Sequence, residues 1–263
     1  MKLKMYQVDA FASQVFQGNP AAVLILDAFL DDDLMQSIAA ENNLSETAFC
    51  VARPDGEFDL RWFTPLTEIE FCGHATIATA HILKAELGLT PPFKFHTQIG
   101  ALTVRTDADD YILNAPILPA RSIDITEPMK AAFPMPLRAA FTAGPNLYVV
   151  ARDATRIEPF KPDFSKILPL SGHGVGLTAK GGGPYDFVSR LFFPAEGIDE
   201  DPVTGSAHAA LAPYWGGVLG KRAMLARQLS ARGGDLKLRL SSDRVDIAGP
   251  AITFMRGQIF VTL

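Results

Sequence analysis

Cysteine is almost absent from this chain. Among 263 residues only Cys50 and Cys72 occur, too few for a disulfide framework or a four-cysteine zinc site. Free thiols in a cytoplasmic protein are the expectation. No apolar run approaches the roughly 20 residues of a membrane span. The opening Met1–Asp9 alternates polar with apolar residues, so it reads as a strand and not as a signal peptide. Basic residues do not dominate: 24 Lys and Arg stand against 29 Asp and Glu, and the net charge of −5 gives nucleic acid or an anionic membrane no electrostatic footing. The five histidines lack metal-ligand spacing, which predicts no metal. There is no Gly-x-Ser-x-Gly nucleophile elbow. Glycine-rich Ser171–Gly176 and Gly181–Gly183 lack the strand-to-helix setting of a phosphate loop and read as flexible loops.

What is present is ordinary globular composition, 48% hydrophobic and 20% charged, with an internal repeat. Arg61-Trp62-Phe63-Thr64-Pro65 returns 129 positions later as Arg190-Leu191-Phe192-Phe193-Pro194. Acidic turns follow, Thr67–Glu70 and Gly197–Asp201, and then a glycine and a helix of small residues, beginning at Gly73 and at Gly205. Gly88 and Gly220 stand where those helices should stop. The first of them shows little polar surface before Lys84, as a helix buried on all sides would. Most of the rest reads as short strands: 21–26, 47–51, 102–105, 147–150, 236–240 and 259–262. A further helix is expected over Asp33–Asn42. The predicted fold is α+β, a duplicated domain in which each half is a sheet wrapped round one apolar helix. Proline-rich Ala115–Pro119 is the expected linker, dividing the chain into 1–118 and 119–263, with a last strand able to pair with the first half.

Several residues admit both a chemical and a structural reading. Gly73 and Gly205 lie at helix N-termini, which attract a carboxylate, yet glycine there also permits tight packing. Cys72 is either a thiol made acidic by the helix dipole or an inert buried thiol. At the repeated position stands Thr204, which is a poor second base, so a symmetric two-thiol racemase is not expected. Glu46 precedes a strand, where a solvated loop carboxylate is the ordinary finding. His74 can hold a carboxylate or cap its helix. Asp201 before Pro202 and Ser206 are both good helix-start residues. Trp62, Phe63, Phe192 and Phe193 sit at strand spacing and read as core.

Five segments taken together change the balance: 16–23 (FQGNPAAV), 43–49 (NLSETAF), 61–65 (RWFTP), 71–76 (FCGHAT) and 200–208 (EDPVTGSAH). In order and spacing they resemble the PhzF-like phenazine-biosynthesis family, and the resemblance extends to Arg232-Gly233-Gly234, Asp243-Arg244-Val245 and 249–253. It implies the diaminopimelate-epimerase-like fold, two pseudo-symmetric domains each with a largely antiparallel or mixed sheet rolled round a central helix, with the site in the cleft between them. It also implies isomerisation of the trans-2,3-dihydro-3-hydroxyanthranilate type without a cofactor. By the same resemblance Glu46 is the acid-base residue. His74 and Asp201 orient the substrate, Gly73, Gly205 and Ser206 contribute donors, and Asn19 lies at the rim. The substrate class is a small amino or hydroxy carboxylate, and a homodimer is implied. Two rivals remain. One is an epimerase or dehydratase using Cys72 with Glu46 or Thr204; the other is a non-catalytic binding or interaction protein.

Overall fold

The computed structural model describes residues 1–261; Thr262, expected in the last strand, lies outside them. Two compact units form, one from residues 1–115 with the chain from Ala248 onward, the other from Pro116–Ile247. Strands β1 (Lys2–Ala10), β2 (Asn19–Leu26), β3 (Glu46–Ala52), β4 (Phe58–Phe63), β5 (Glu68–Ile69), β6 (Phe93–Thr97), β7 (Gly100–Asp107) and β8 (Asp110–Pro116) come first, with helices α1 (Asp32–Asn42) and α2 (Gly73–Ala85). Then follow β9 (Arg121–Ile123), β10 (Leu137–Ala143), β11 (Asn146–Ala151), β12 (Val175–Lys180), β13 (Phe187–Phe193), β14 (Ile198–Asp201), β15 (Ala223–Gln228) and β16 (Gly234–Leu240). Among them lie α3 (Glu127–Ala132), α4 (Phe164–Ile167) and α5 (Gly205–Leu219). The last strand, β17 (Arg244–Phe260), starts in the second unit and finishes in the first.

Both units follow one pairing plan. In the first, β1–β2 is antiparallel, β2–β3 parallel, β3–β4 antiparallel, β4–β6 parallel and β6–β7 antiparallel. In the second, β10–β11, β11–β12, β12–β13, β13–β15 and β15–β16 repeat that alternation. The fold is α+β with mixed sheets. β17 pairs with β1 from Lys2↔Phe260 to Ala10↔Ala251 and also with β8, closing β1-β2-β3-β4-β6-β7-β8-β17 into a ring without a free edge. Inside it, α2 is buried from Gly73 to Leu83 and packs on β1, β2, β3 and β7. An apolar, alanine-rich helix suits that place because no face meets water.

The repeat is carried by matching chemistry. Arg61 donates Nε and Nη2 to the two carboxylate oxygens of Glu68, each at 2.7 Å, and Arg190 grips Glu200 in the same bidentate way, also at 2.7 Å. The guanidinium groups lie 5.2 Å from the Phe63 ring centroid and 5.4 Å from that of Phe192. Helix ends differ from expectation in one place. Gly220 closes α5 in the left-handed conformation, but α2 stops at Ala85 with Glu86 as its cap, and Gly88 lies two residues further on. Pro213 inside α5 removes the N–H that would reach Ala209, and that carbonyl accepts from Leu118 N–H at 2.9 Å instead. The Ser171–Gly176 segment is not simply a loop: Val175 and Gly176 belong to β12, and His173 Nδ1 sits 2.8 Å from Glu196 Oε1.

Candidate active site

Glu46 is the first residue of β3, not a loop residue ahead of it. The register Ala21↔Glu46 sets it beside the start of β2, and it is only 8% exposed. Of the readings weighed for Glu46, the solvated loop carboxylate is the one its burial excludes. Cys72 is the N-cap of α2 in extended conformation and its thiol makes no capping hydrogen bond, while both ring nitrogens of His74 face side chains and not the helix N–H groups. Instead its buried ring joins three neighbours. Nε2 lies 2.9 Å from Glu46 Oε2, and Nδ1 lies 3.1 Å from Asn19 Nδ2 and 3.5 Å from Cys72 Sγ. The carboxylate oxygen stands off the imidazole N–H axis, so the contact is an ion pair in which Oε2 has no directed donor.

Burial disfavours a charged imidazole, but the neighbouring Cys72 sulfur and the Glu46 carboxylate outweigh it and raise His74 well above its usual range. Burial, reinforced by the Glu46 charge, pushes the Cys72 thiol up to about 11, overcoming the opposite pull of His74. Of the two readings open for Cys72, burial therefore favours the inert thiol over the acidic one. The charge that pairs with the imidazolium is then that of Glu46. A protonated His74 needs an acceptor at Nδ1. Exchanging the Asn19 amide oxygen and nitrogen, which share one outline, supplies it.

In the second unit Asp201 ends β14 and is buried. Thr204 is the N-cap of α5 and its hydroxyl makes no capping hydrogen bond, and Ser206 in the first turn is half-buried. Thr204 Oγ1 donates to Asp201 Oδ2. Gln228 from β15 ties the corner, accepting from Thr204 N–H at 2.9 Å and donating to Asp201 O at 2.7 Å. Sequence reasoning missed Gln228, although a polar residue in phase with buried Met224 and Ala226 was a signal. His208 Nδ1 donates to Thr204 O at 2.8 Å, four residues back, just as Thr76 Oγ1 donates to Cys72 O in α2. Burial lowers His208 to about 4 despite that bond, so it is neutral.

The equivalence of the units extends to Glu46. Phe49 pairs with Arg61 and Leu177 pairs with Arg190. Three residues before each partner stand Glu46 and Gly174. The second unit therefore has no side chain where the first has its carboxylate, just as it has Thr204 where the first has Cys72.

Donor atoms of Glu46, Cys72 and His74 lie within 4.8 Å of one another, as do those of Asp55, Glu57 and His96. In the second group Lys94 Nζ, 2.9 Å from Glu57, and Arg53, 3.4 Å from Asp55, already supply positive charge. No described helix is long and apolar enough to cross a membrane.

Residues 8–257 match the family described as phenazine biosynthesis-like protein, PhzC-PhzF. The chain belongs to that family. A Pseudomonas aeruginosa protein named as an uncharacterized isomerase is 45% identical, over 98% of this chain and 99% of its own. The crystal structure of a PhzF-family protein from Enterococcus faecalis is 43% identical, covers 99% of this chain and 100% of its own, and superposes with a TM-score of 0.94. A hydroxyproline epimerase from Agrobacterium vitis shares the fold alone, with 10% identity and a TM-score of 0.68 over 98% of this chain and 92% of its own. As a PhzF-family member the chain has the epimerase-like fold that its motifs implied, and the pairing plan of the two units is that fold's duplication.

Proposed function

We propose that this protein is a cofactor-independent isomerase in which Glu46 moves a proton within a small amino or hydroxy carboxylate. The observation that carries the reading is a buried carboxylate 2.9 Å from a buried imidazole, with one oxygen lacking a directed donor. Such an oxygen can accept a proton from a substrate C–H and return it to a second carbon, with no change of oxidation state. His74, held by Asn19, fixes and electrostatically supports the carboxylate. In the first unit the N–H groups at the start of α2, at Gly73, and in the second those at the start of α5, at Gly205 and Ser206, with the Asp201–Thr204 corner, are each suited to a charged or polar group of such a substrate. Gly174 and Thr204 at the repeated positions favour a single acid-base group over a two-base racemase. A protonated Cys72 thiol weighs against thiolate epimerisation. Relatives named as isomerases or phenazine biosynthesis-like support the same class.

The probe is trans-2,3-dihydro-3-hydroxyanthranilate in D2O, read by NMR. Deuterium should enter a ring carbon as the double bonds shift. Glu46→Gln should cut the rate by 10² or more, within the range of general acid–base contributions, while Cys72→Ser should stay within about tenfold of wild type. Exchange that persists in Glu46→Gln would remove the carboxylate from the mechanism. Binding without exchange in the wild type would favour a binding protein.

A further inference from the structure

Asn146, the first residue of β11, belongs to none of the motifs that pointed to the site. It is 7% exposed, and its Oδ1 is buried without a hydrogen-bond partner among the described residues. A buried carbonyl oxygen left unpaired is unfavourable enough that most such atoms in folded proteins have a partner. Its other amide atom is occupied, with Nδ2 3.4 Å from the Tyr148 hydroxyl. Burial pushes that phenol upward, so it stays neutral and can accept from the amide. Oδ1 faces the missing side chain of Gly174. A Cβ there would fall 2.7 Å from Asn146 Oδ1 and 2.3 Å from Phe193 Cε1. Gly174 is the counterpart of Glu46, so the unpaired oxygen borders the place where the duplicated fold carries its carboxylate in the first unit.

Sheet register puts this oxygen at the functional end of its own unit. Leu147 pairs with Val175, Val175 with Phe192, and Leu191 with Asp201. The start of β11, the end of β13 and Asp201 therefore share one end of the sheet. We infer that Asn146 is a substrate-binding residue whose Oδ1 accepts a hydrogen bond from an amino or hydroxyl group of the carboxylate substrate. The inference rests on the isomerase reading for the identity of the ligand. A buried water that satisfies Oδ1 and never gives way to ligand is the competing account.

Anthranilate and benzoate separate the two, because they share a ring and carboxylate and differ in the amino donor. By calorimetry the wild type should bind anthranilate more tightly than benzoate. Asn146→Leu, close in shape, should weaken anthranilate about tenfold and leave benzoate within twofold. If the leucine variant does not fold by circular dichroism, Asn146→Ala is read in the same way. The inference is overturned if the wild type binds anthranilate no better than benzoate, or if the variant weakens both equally or neither. The Glu46→Gln protein should keep the anthranilate preference while losing solvent exchange, so failure of the proton-transfer reading and failure of the Asn146 assignment give different results.

Discussion

Both thiols of this protein sit in surroundings that oppose ionisation. Cys50 lies in β3 and is raised beyond the ordinary thiol range by burial and then by Asp59; Cys72, at about 11, is raised by burial and then by Glu46. A thiol reacts as its thiolate, and a pKa near 11 leaves about 10⁻⁴ of Cys72 ionised at pH 7. Native protein should therefore be alkylated by iodoacetamide at either cysteine at least 10²-fold more slowly than protein unfolded in urea, as mass spectrometry would register. Rapid native labelling of Cys72 would restore it as a candidate base. From the sequence, a thiol at a helix start had two fates. The helix dipole favours its ionisation, desolvation opposes it, and only the depth of burial shows which effect is larger.

At the scale of elements, the two arginine–glutamate pairs hold β4 to β5 and β13 to β14, but in different surroundings. Arg61 and Glu68 are each 23% exposed. Arg190 is 8% exposed, and its Nη1 also donates to the carbonyls of Ile157 at 3.1 Å and Phe160 at 2.6 Å. Removing the partially exposed arginine should cost about 1 kcal/mol, whereas removing the buried one strands Glu200 and two carbonyls, a loss of about 3–5 kcal/mol. Urea unfolding of Arg61→Ala and Arg190→Ala checks this ordering; equal losses would contradict it. The repeat of Arg, Phe and acid was legible because it is local chemistry repeated along the chain. The end of α2 was not, because Gly88 offers a stop that the helix does not reach.

For the whole molecule, histidines set the pH response. His81, between Tyr111 and Thr253, and His208 are both lowered to about 4, burial being the main cause. Between pH 6.5 and 4 the unfolded chain binds protons at these positions that the native state does not, so stability falls as pH falls. The slope is at most about 1.4 kcal/mol per pH unit for each histidine. His74 has the opposite sign. Its raised pKa contributes stability that is complete below pH 6.5 and is lost as pH climbs through the raised value. Stability measured by urea unfolding should therefore decline on both sides of about pH 6.5, with His208→Gln flattening the acid limb. An acid limb that the variant leaves unchanged would count against a buried neutral His208.

Periodicity, the repeat and five motifs were enough to establish the α+β duplication, the buried small-residue helices and the family, because each is written in residues close together along the chain. Glu46 could be singled out by likeness but not by its own surroundings. Its burial comes from β2 and β3 lying in register, and its neighbour His74 is 28 residues away. The same holds for Gln228 at the Asp201 corner and for Asn146 above Gly174. Hydrogen bonds and desolvation act over a few ångströms, and only tertiary folding brings residues distant in sequence within that range. A last strand able to pair with the first half was an expectation of the sequence, but that β17 joins both β1 and β8 and so closes a ring is decided only in the fold.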